Sequence, residues 1–131
     1  AEAAQFIEDV IDNEPVVMFA LEWCEFCWSL RKLFGALGVD YKSVDIDSVE
    51  YQDDGRGVKI RAALGKRVGS PTMPQVFIAG RHVGGCTEVI EAFERGTLQS
   101  SFDRSEIDYD EAVEFDAWSL LPQWLHPRKS A

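Results

Sequence analysis

Cysteine is scarce in this chain: three occur in 131 residues, at Cys24, Cys27 and Cys86. Small secreted domains that depend on disulfides carry many more, so the sequence does not favour that class of scaffold. The chain can build a core without such bonds, because 46% of its residues are hydrophobic, with eight Phe and four Trp among them. We therefore expect a chain that folds without disulfides, in a reducing cytoplasm.

Positive charge is also in short supply. Thirteen Lys and Arg face 23 Asp and Glu, which gives a formal net charge of −10 at pH 7. A chain this acidic repels nucleic acids and anionic membrane surfaces and suits a partner protein with a basic patch. Apolar runs of membrane-spanning length are missing, and residues 1–4 lack the pattern of a signal peptide. We predict a cytoplasmic protein with no nucleic-acid partner and no membrane partner.

The chain does contain a Cys-x-x-Cys dithiol, formed by Cys24 and Cys27. It follows the apolar run Val16–Leu21, which predicts a strand buried on both faces. Beyond it, apolar residues recur every three or four positions and predict a helix over residues 24–37. Cys24 then lies at the helix N-terminus, where unpaired N–H groups and the helix dipole favour a thiolate. Cys24 is the predicted nucleophile, and Cys27, one turn further on, is the predicted resolving thiol.

Two structural roles compete with this interpretation of the dithiol. A Cys-x-x-Cys can supply half of a zinc site, but the other candidate ligands are Cys86, His82 and His126, and no second motif has ligand spacing. A purely structural disulfide would suit a cysteine-rich secreted chain better than this one. We therefore expect redox chemistry and no bound metal.

Turn residues and hydrophobic periodicity predict the remaining elements. The predicted helices are one that ends near Asn13, a short one that ends at Gly65, and one over residues 87–95 with Thr87 as its N-cap. The predicted strands after the first are Tyr41–Ile46, Gln75–Ile78 and a brief strand that begins at Val83. The order strand, helix, strand implies a right-handed parallel crossover, so the sequence predicts an α/β fold with a small mixed sheet.

Four features in this order resemble the glutaredoxins, a family with the thioredoxin fold. They are the strand before Cys-x-x-Cys, then Thr72-Met73-Pro74 before a strand, then Gly84-Gly85, and then Cys86-Thr87-Glu88 at the start of a helix. The resemblance covers about residues 15–98. It implies a central four-stranded mixed sheet flanked by helices, in a domain of residues 1–98 with an extension over residues 99–131. It also implies glutathione as the reductant and disulfide-bonded or glutathionylated proteins as substrates.

The same resemblance implies a glutathione site. The proline of the Thr-Met-Pro turn is cis in the family, which turns the neighbouring backbone toward the reactive cysteine. The family's glycine pair and the helix start after it bind the γ-glutamyl end of glutathione. The residues that match these positions are Phe26, Thr72, Met73, Pro74, Gly85, Thr87 and Glu88. Cys86 is either a small buried residue or a site of regulatory glutathionylation.

This sequence differs from the family pattern before the dithiol, and two alternative functions remain open. Glutaredoxins usually carry a lysine shortly before the dithiol, whereas here Ala20–Trp23 has no positive charge. Our hypothesis is that the positive charge of this lysine is supplied instead by Arg61, Lys66 or Arg67. Trp23 before Cys24 is similar to thioredoxins, so a thioredoxin-like reductant fed by a flavin reductase is one alternative. The other is a carrier in which Cys24 of two chains and two glutathiones hold a [2Fe–2S] cluster.

Residues 99–131 exceed what the glutaredoxin fold needs. They are acidic from Asp103 to Asp116 and then rich in large apolar groups. Spacing predicts a helix with one apolar face, formed by Val113, Ala117, Leu120 or Leu121, and Trp124. We expect this helix to pack back on the domain, with a partner or dimer contact as the alternative.

Overall fold

The computed structural model describes residues 2–114 and 116–122. Strands and helices alternate along the first part of the chain, and helices follow the last strand. The strands are β1 (Val16–Ala20), β2 (Lys42–Asp45), β3 (Gln75–Ile78) and β4 (Arg81–Gly84). The helices are α1 (Glu2–Asn13), α2 (Glu25–Leu37), α3 (Arg56–Val68), α4 (Cys86–Arg95) and α5 (Thr97–Arg104). Short 3-10 helices cover Val49–Tyr51, Asp53–Gly55 and Ala117–Leu120.

The four strands form one mixed sheet in the order β2-β1-β3-β4. β1 pairs with β2 in parallel, with Phe19 opposite Val44, and with β3 in antiparallel fashion, with Val17 opposite Phe77. The predicted parallel crossover through α2 and the predicted mixed sheet are confirmed. In the part of the chain described above, no helix is both long and apolar enough to cross a membrane.

The core is built around β1, whose five residues are all buried. Burial on both sides is expected for the central strand of a sheet covered by helices, and it explains the uninterrupted apolar run. α1 packs against α3, and α2 packs against α4. The largest fully buried side chains include Phe19, Phe34, Phe77 and Phe102.

Several predicted boundaries were wrong. β2 covers Lys42–Asp45, which is shorter than the predicted Tyr41–Ile46, and β4 begins at Arg81 rather than Val83. α3 does not end at Gly65 but continues to Val68, because a single glycine inside a helix is tolerated. Gly69, with φ +78°, ends it.

The N-cap of α4 was also predicted wrongly. Gly85, not Thr87, is the N-cap, and α4 begins at Cys86. The Glu88 carboxylate accepts a hydrogen bond from the Gly85 N–H at 3.3 Å, which satisfies a backbone donor at the start of the helix. Thr87 therefore lies inside the first turn.

Part of the extension belongs to the core. α5, a helix that the sequence patterns did not predict, spans the expected domain boundary at residue 98 and buries Leu98 and Phe102. Both side chains are apolar and lie four positions apart, so one face of α5 can cover the domain.

The apolar end of the extension packs back on the domain, as a 3-10 helix and not as the longer helix expected. Ala117 is buried, its N–H donates to Glu94 Oε1 at 3.3 Å, and the Ser29 hydroxyl donates to the Leu120 carbonyl oxygen at 2.7 Å. These bonds fix the segment against α4 and α2. Trp124, which was expected on the same face, lies outside the described residues.

Gly57 gives a test of how closely α3 approaches the loop after β2. A Cβ at this position would collide with the backbone carbonyl oxygen of Ile46, so Gly57→Ala should lower the free energy of unfolding by about 1–3 kcal/mol. A Cβ at Gly35, on the exposed face of α2, would meet no atom within 4 Å, so Gly35→Ala should raise the same free energy by about 0.5–1 kcal/mol. Urea unfolding of both variants measures the difference, and equal effects would contradict the close approach.

Candidate active site

Cys24 lies where the central strand leads into α2. It is the N-cap residue of α2, with extended backbone at φ −90° and ψ 125°. Its Sγ lies 4.0 Å from the carbonyl oxygen of Met73, and its side chain is partly exposed. The Met73–Pro74 bond is cis, as the resemblance implied. The strand, the helix start and the proline turn therefore meet at one accessible sulfur.

The other two thiols are buried. Burial raises the pKa of the Cys27 thiol to about 12; a hydrogen bond with the Leu21 backbone acts in the opposite direction, and nearby Cys24 adds to the rise. Burial also raises the pKa of Cys86 to about 12, and the charges of Cys24 and Glu88 add to it. A buried thiolate lacks solvation, so both groups stay protonated near neutral pH. The predicted resolving thiol, Cys27, is thus buried, while the predicted nucleophile, Cys24, is partly exposed.

The turn before β3 is held by Gln75, a buried polar residue that was not among the predicted site residues. Its Nε2 donates to the Thr72 carbonyl oxygen at 3.0 Å and to Thr72 Oγ1 at 3.2 Å. Its Oε1 accepts from Nε2 of His82 at 2.7 Å. Ser70 Oγ lies 2.8 Å from Thr72 Oγ1 and continues the network. One buried amide therefore connects the proline turn to β4.

His82 belongs to this network although it is an exposed residue. It lies in β4, and its ring packs against the ring of Phe77 with centroids 5.0 Å apart. Partial burial and neighbouring Arg67 lower its pKa, while Glu88 acts in the opposite direction. The lowered pKa favours the neutral ring, and since the amide oxygen of Gln75 can only accept, Nε2 of His82 is the donor. A polar residue at the first position of an otherwise apolar strand was the sequence signal for this network.

The glycine pair lies where β4 ends and α4 begins, beside the proline turn. Gly84 has φ +131°, a conformation that side chains disfavour, and a Cβ there would lie 2.7 Å from the Cβ of Glu88. At Gly85 a Cβ would lie 3.2 Å from the Pro74 carbonyl oxygen. The two glycines thus allow the start of α4 to come close to the proline turn.

The remaining predicted site residues lie around this centre. Thr87 and Glu88 are exposed in the first turn of α4, and Phe26 is half-buried in the first turn of α2. Thr72 is exposed, whereas Met73 and Pro74 are buried. The structure therefore brings the predicted glutathione-binding residues to the two helix starts and the turn between them.

The three candidate cations of α3 have different surroundings. Arg61 Nη2 donates to the Pro71 carbonyl oxygen at 3.3 Å, which places it beside the proline turn. Arg67 forms an ion pair with Glu8 of α1, and Lys66 lines a groove between α1 and α3. Of these candidates, Arg61 is the one that contacts the turn.

Potential metal ligands do not cluster in the described part of the chain. Within residues 2–114 and 116–122, no three side chains of His, Cys, Asp or Glu come together in a group that could hold a metal ion.

Comparison with known proteins identifies relatives. Residues 16–83 match the family model described as Glutaredoxin. A glutaredoxin of Ricinus communis is 34% identical over 91 residues, which cover 70% of this chain and 84% of the relative. Monothiol glutaredoxin-S10 of Oryza sativa subsp. japonica is 28% identical over 102 residues, and the match spans 78% of this chain and 60% of that protein.

A solved structure has a similar fold. The crystal structure of the buckwheat glutaredoxin–glutathione complex superposes with a TM-score of 0.74 and is 33% identical in sequence. The match covers 82% of this chain and 93% of the buckwheat chain.

Thiol alkylation tests the difference in burial. In the reduced native protein at about pH 8, iodoacetamide should modify Cys24 well before Cys27 and Cys86, because burial and a pKa of about 12 keep those two as inaccessible thiols. Peptide mass spectrometry of timed samples measures each site. Denaturant is the control, since it should make all three react alike. Equal native rates would contradict the arrangement.

Gln75→Leu tests the buried amide. The substitution keeps a similar volume but leaves the Thr72 carbonyl oxygen and the His82 N–H without their partner, so it should cost about 1–3 kcal/mol of unfolding free energy. The matched control is Gln5→Leu on the exposed face of α1, which should change stability by less than about 0.5 kcal/mol. If the two variants unfold at the same urea concentration, Gln75 has no structural role.

Proposed function

Because the chain belongs to the glutaredoxin family, with the thioredoxin fold, we propose that Cys24 and Cys27 make it a glutathione-dependent thiol–disulfide oxidoreductase. Its substrates are protein disulfides and protein–glutathione mixed disulfides. One observation carries this proposal. A partly exposed cysteine caps a helix beside a cis-proline turn, and a buried cysteine lies one turn behind it.

The geometry supports Cys24 as the attacking sulfur. It is the N-cap of α2, its side chain is partly exposed, and the first N–H groups of the helix lie beside it. Its thiolate attacks one sulfur of a substrate disulfide; the substrate S–S bond breaks, and one substrate thiolate leaves and takes up a proton. Cys27 then loses its proton and attacks the Cys24 sulfur of the mixed disulfide. The second substrate thiol leaves, and the enzyme holds a Cys24–Cys27 disulfide.

Glutathione supplies the two electrons that restore the dithiol. One glutathione thiolate attacks the Cys24 sulfur of the Cys24–Cys27 disulfide, which forms a mixed disulfide and frees the Cys27 thiol. A second glutathione thiolate then attacks the glutathione sulfur of that mixed disulfide; the Cys24 thiolate leaves, and oxidised glutathione is released. When the substrate is a protein–glutathione mixed disulfide, Cys24 takes the glutathione and releases the protein thiol. A second glutathione then regenerates Cys24, so Cys27 is not needed.

We place glutathione between the proline turn and the start of α4. The Met73 backbone would pair with its peptide units, and the Thr87 hydroxyl and main-chain N–H would bind its γ-glutamyl carboxylate at a helix start suited to anions. Glu88 would meet the α-amino group. Arg61 is the candidate for the glycine carboxylate. The similar buckwheat protein was solved as a complex with glutathione, which supports glutathione as the ligand.

We further propose that the chain uses no metal and works in the cytoplasm. Metals and iron–sulfur clusters take thiolates, and two of the three cysteines are buried with a raised pKa. One chain therefore offers one accessible thiol, and a cluster would need the Cys24 of a second chain. The three cysteines are free, which suits a reducing compartment.

Two serine variants test the assigned roles. Cys24→Ser should lose turnover of both substrate classes, because the other two cysteines are buried. Cys27→Ser should keep removal of glutathione from a glutathionylated peptide but lose reduction of a protein disulfide. NADPH consumption coupled through glutathione reductase measures both activities.

Cys86→Ser is the matched control, and it should retain both activities. If Cys24→Ser and Cys27→Ser lose the removal of glutathione equally, the assignment of roles is wrong. If glutathione fails to reduce the oxidised wild-type protein, the proposed reductant is wrong.

A further inference from the structure

Two tryptophans beside Cys24 are unusually exposed. Trp23 is 91% exposed and Trp28 is 60% exposed, although large aromatic side chains are normally buried. Together with Glu22, Cys24 and Glu25 they line an open groove of about 410 Å³. The groove therefore presents aromatic surface directly beside the sulfur that attacks the substrate, which is where the residues next to a substrate cysteine must lie.

Carboxylates surround this groove. Glu22 and Glu25 belong to its lining, and both residues are exposed. Asp47 is exposed as well, and its Oδ1 accepts the N–H of Glu22 at 2.9 Å, which brings a third carboxylate from the end of β2 to the same place. The carboxylates therefore make the electrostatic potential at the groove negative, in a chain whose net charge is −10.

The cations nearest this end of α2 are held by other groups. Arg31 pairs with Asp45 at 2.9 Å and donates to the Leu21 carbonyl oxygen at 3.0 Å. The Lys32 ammonium lies 4.3 Å from the ring centre of Trp28. Lys32 lines a neighbouring groove with Trp28 and Glu25, so its contact shows that the Trp28 ring accepts a cation next to the groove beside Cys24.

We infer that this groove recognises the flank of the substrate, and that it selects disulfides whose reactive cysteine has a lysine or arginine next to it. A cationic side chain can stack on the exposed face of Trp23 while its charge meets Glu22 and Asp47. An acidic flank meets like charge. The inference rests on the proposed function, since it names the substrate class of that same site. Glutathione, which is anionic, is bound on the other side, near Arg61 and the start of α4.

Two glutathionylated peptides test the preference. They are identical except that the residues flanking the cysteine are lysine in one and glutamate in the other. At an ionic strength of about 0.01 M the wild-type protein should turn over the lysine peptide with a kcat/KM roughly tenfold higher. At about 1 M the ratio should fall close to one, because salt screens exposed charges. Equal values at low ionic strength would overturn the inference.

Two variants with the same change of charge locate the effect. Glu22→Lys should remove or reverse the preference. The matched control is Glu14→Lys, after the end of α1 and before β1, at the opposite end of that strand from Cys24; it should keep the preference. Trp23→Ala should lower kcat/KM for the lysine peptide several-fold more than for the glutamate peptide. If Glu14→Lys changes the ratio as much as Glu22→Lys, only net charge acts and the groove does not.

A small uncharged substrate distinguishes failure of the inference from failure of the proposed function. Bis(2-hydroxyethyl) disulfide with glutathione reports the proposed activity without a charged flank. If the wild-type protein turns over this substrate but does not distinguish the peptides, the inference fails and the proposed function stands. If it turns over neither, the proposed function fails.

Discussion

The site depends on one junction, where the buried strand β1 ends and α2 begins. β1 lies inside the sheet, paired on both edges, and all its side chains are buried, so its end has a fixed position. Cys24 follows that end and caps α2, while Met73, in the turn before β3, contacts its sulfur. Since β3 is hydrogen-bonded to β1, the two halves of the site are held by the same ladder. The position of the Cys24 sulfur is therefore fixed by the packed core.

Burial separates the one partly exposed thiol from the two buried ones. Cys24 lies at the edge of the core, while Cys27 and Cys86 are inside it, and desolvation is the largest cause of the raised pKa of both. A buried resolving thiol is protected from external oxidants and reactive groups, yet it lies one helical turn from its partner. In the proposed mechanism this difference sets the order of events: the external disulfide reacts with Cys24 first, and Cys27 then attacks the mixed disulfide.

Local patterns in the sequence predicted those parts of the fold that depend on local interactions. The apolar run of β1 and the periodicity of α2 were enough to place the dithiol at a helix start, and the turn residues located β3. Long-range contacts could not be predicted in this way. The capping of α4 by Gly85 depends on the approach of its backbone to Pro74, and the role of Gln75 depends on His82 in the next strand. The 3-10 helix of the extension is likewise fixed by tertiary bonds to α2 and α4.

One difference from the family pattern changes the charge beside Cys24. Where that pattern places a lysine shortly before the dithiol, this chain has Glu22 beside an exposed Trp23. The change removes a cation from the approach to Cys24 and adds an anion, so electrostatic attraction of an anionic tripeptide cannot come from that side. It can come from the side of Arg61, which contacts the proline turn. Under the proposed function, an anionic reductant would meet the site near Arg61, and a cationic substrate flank would meet it beside Glu22.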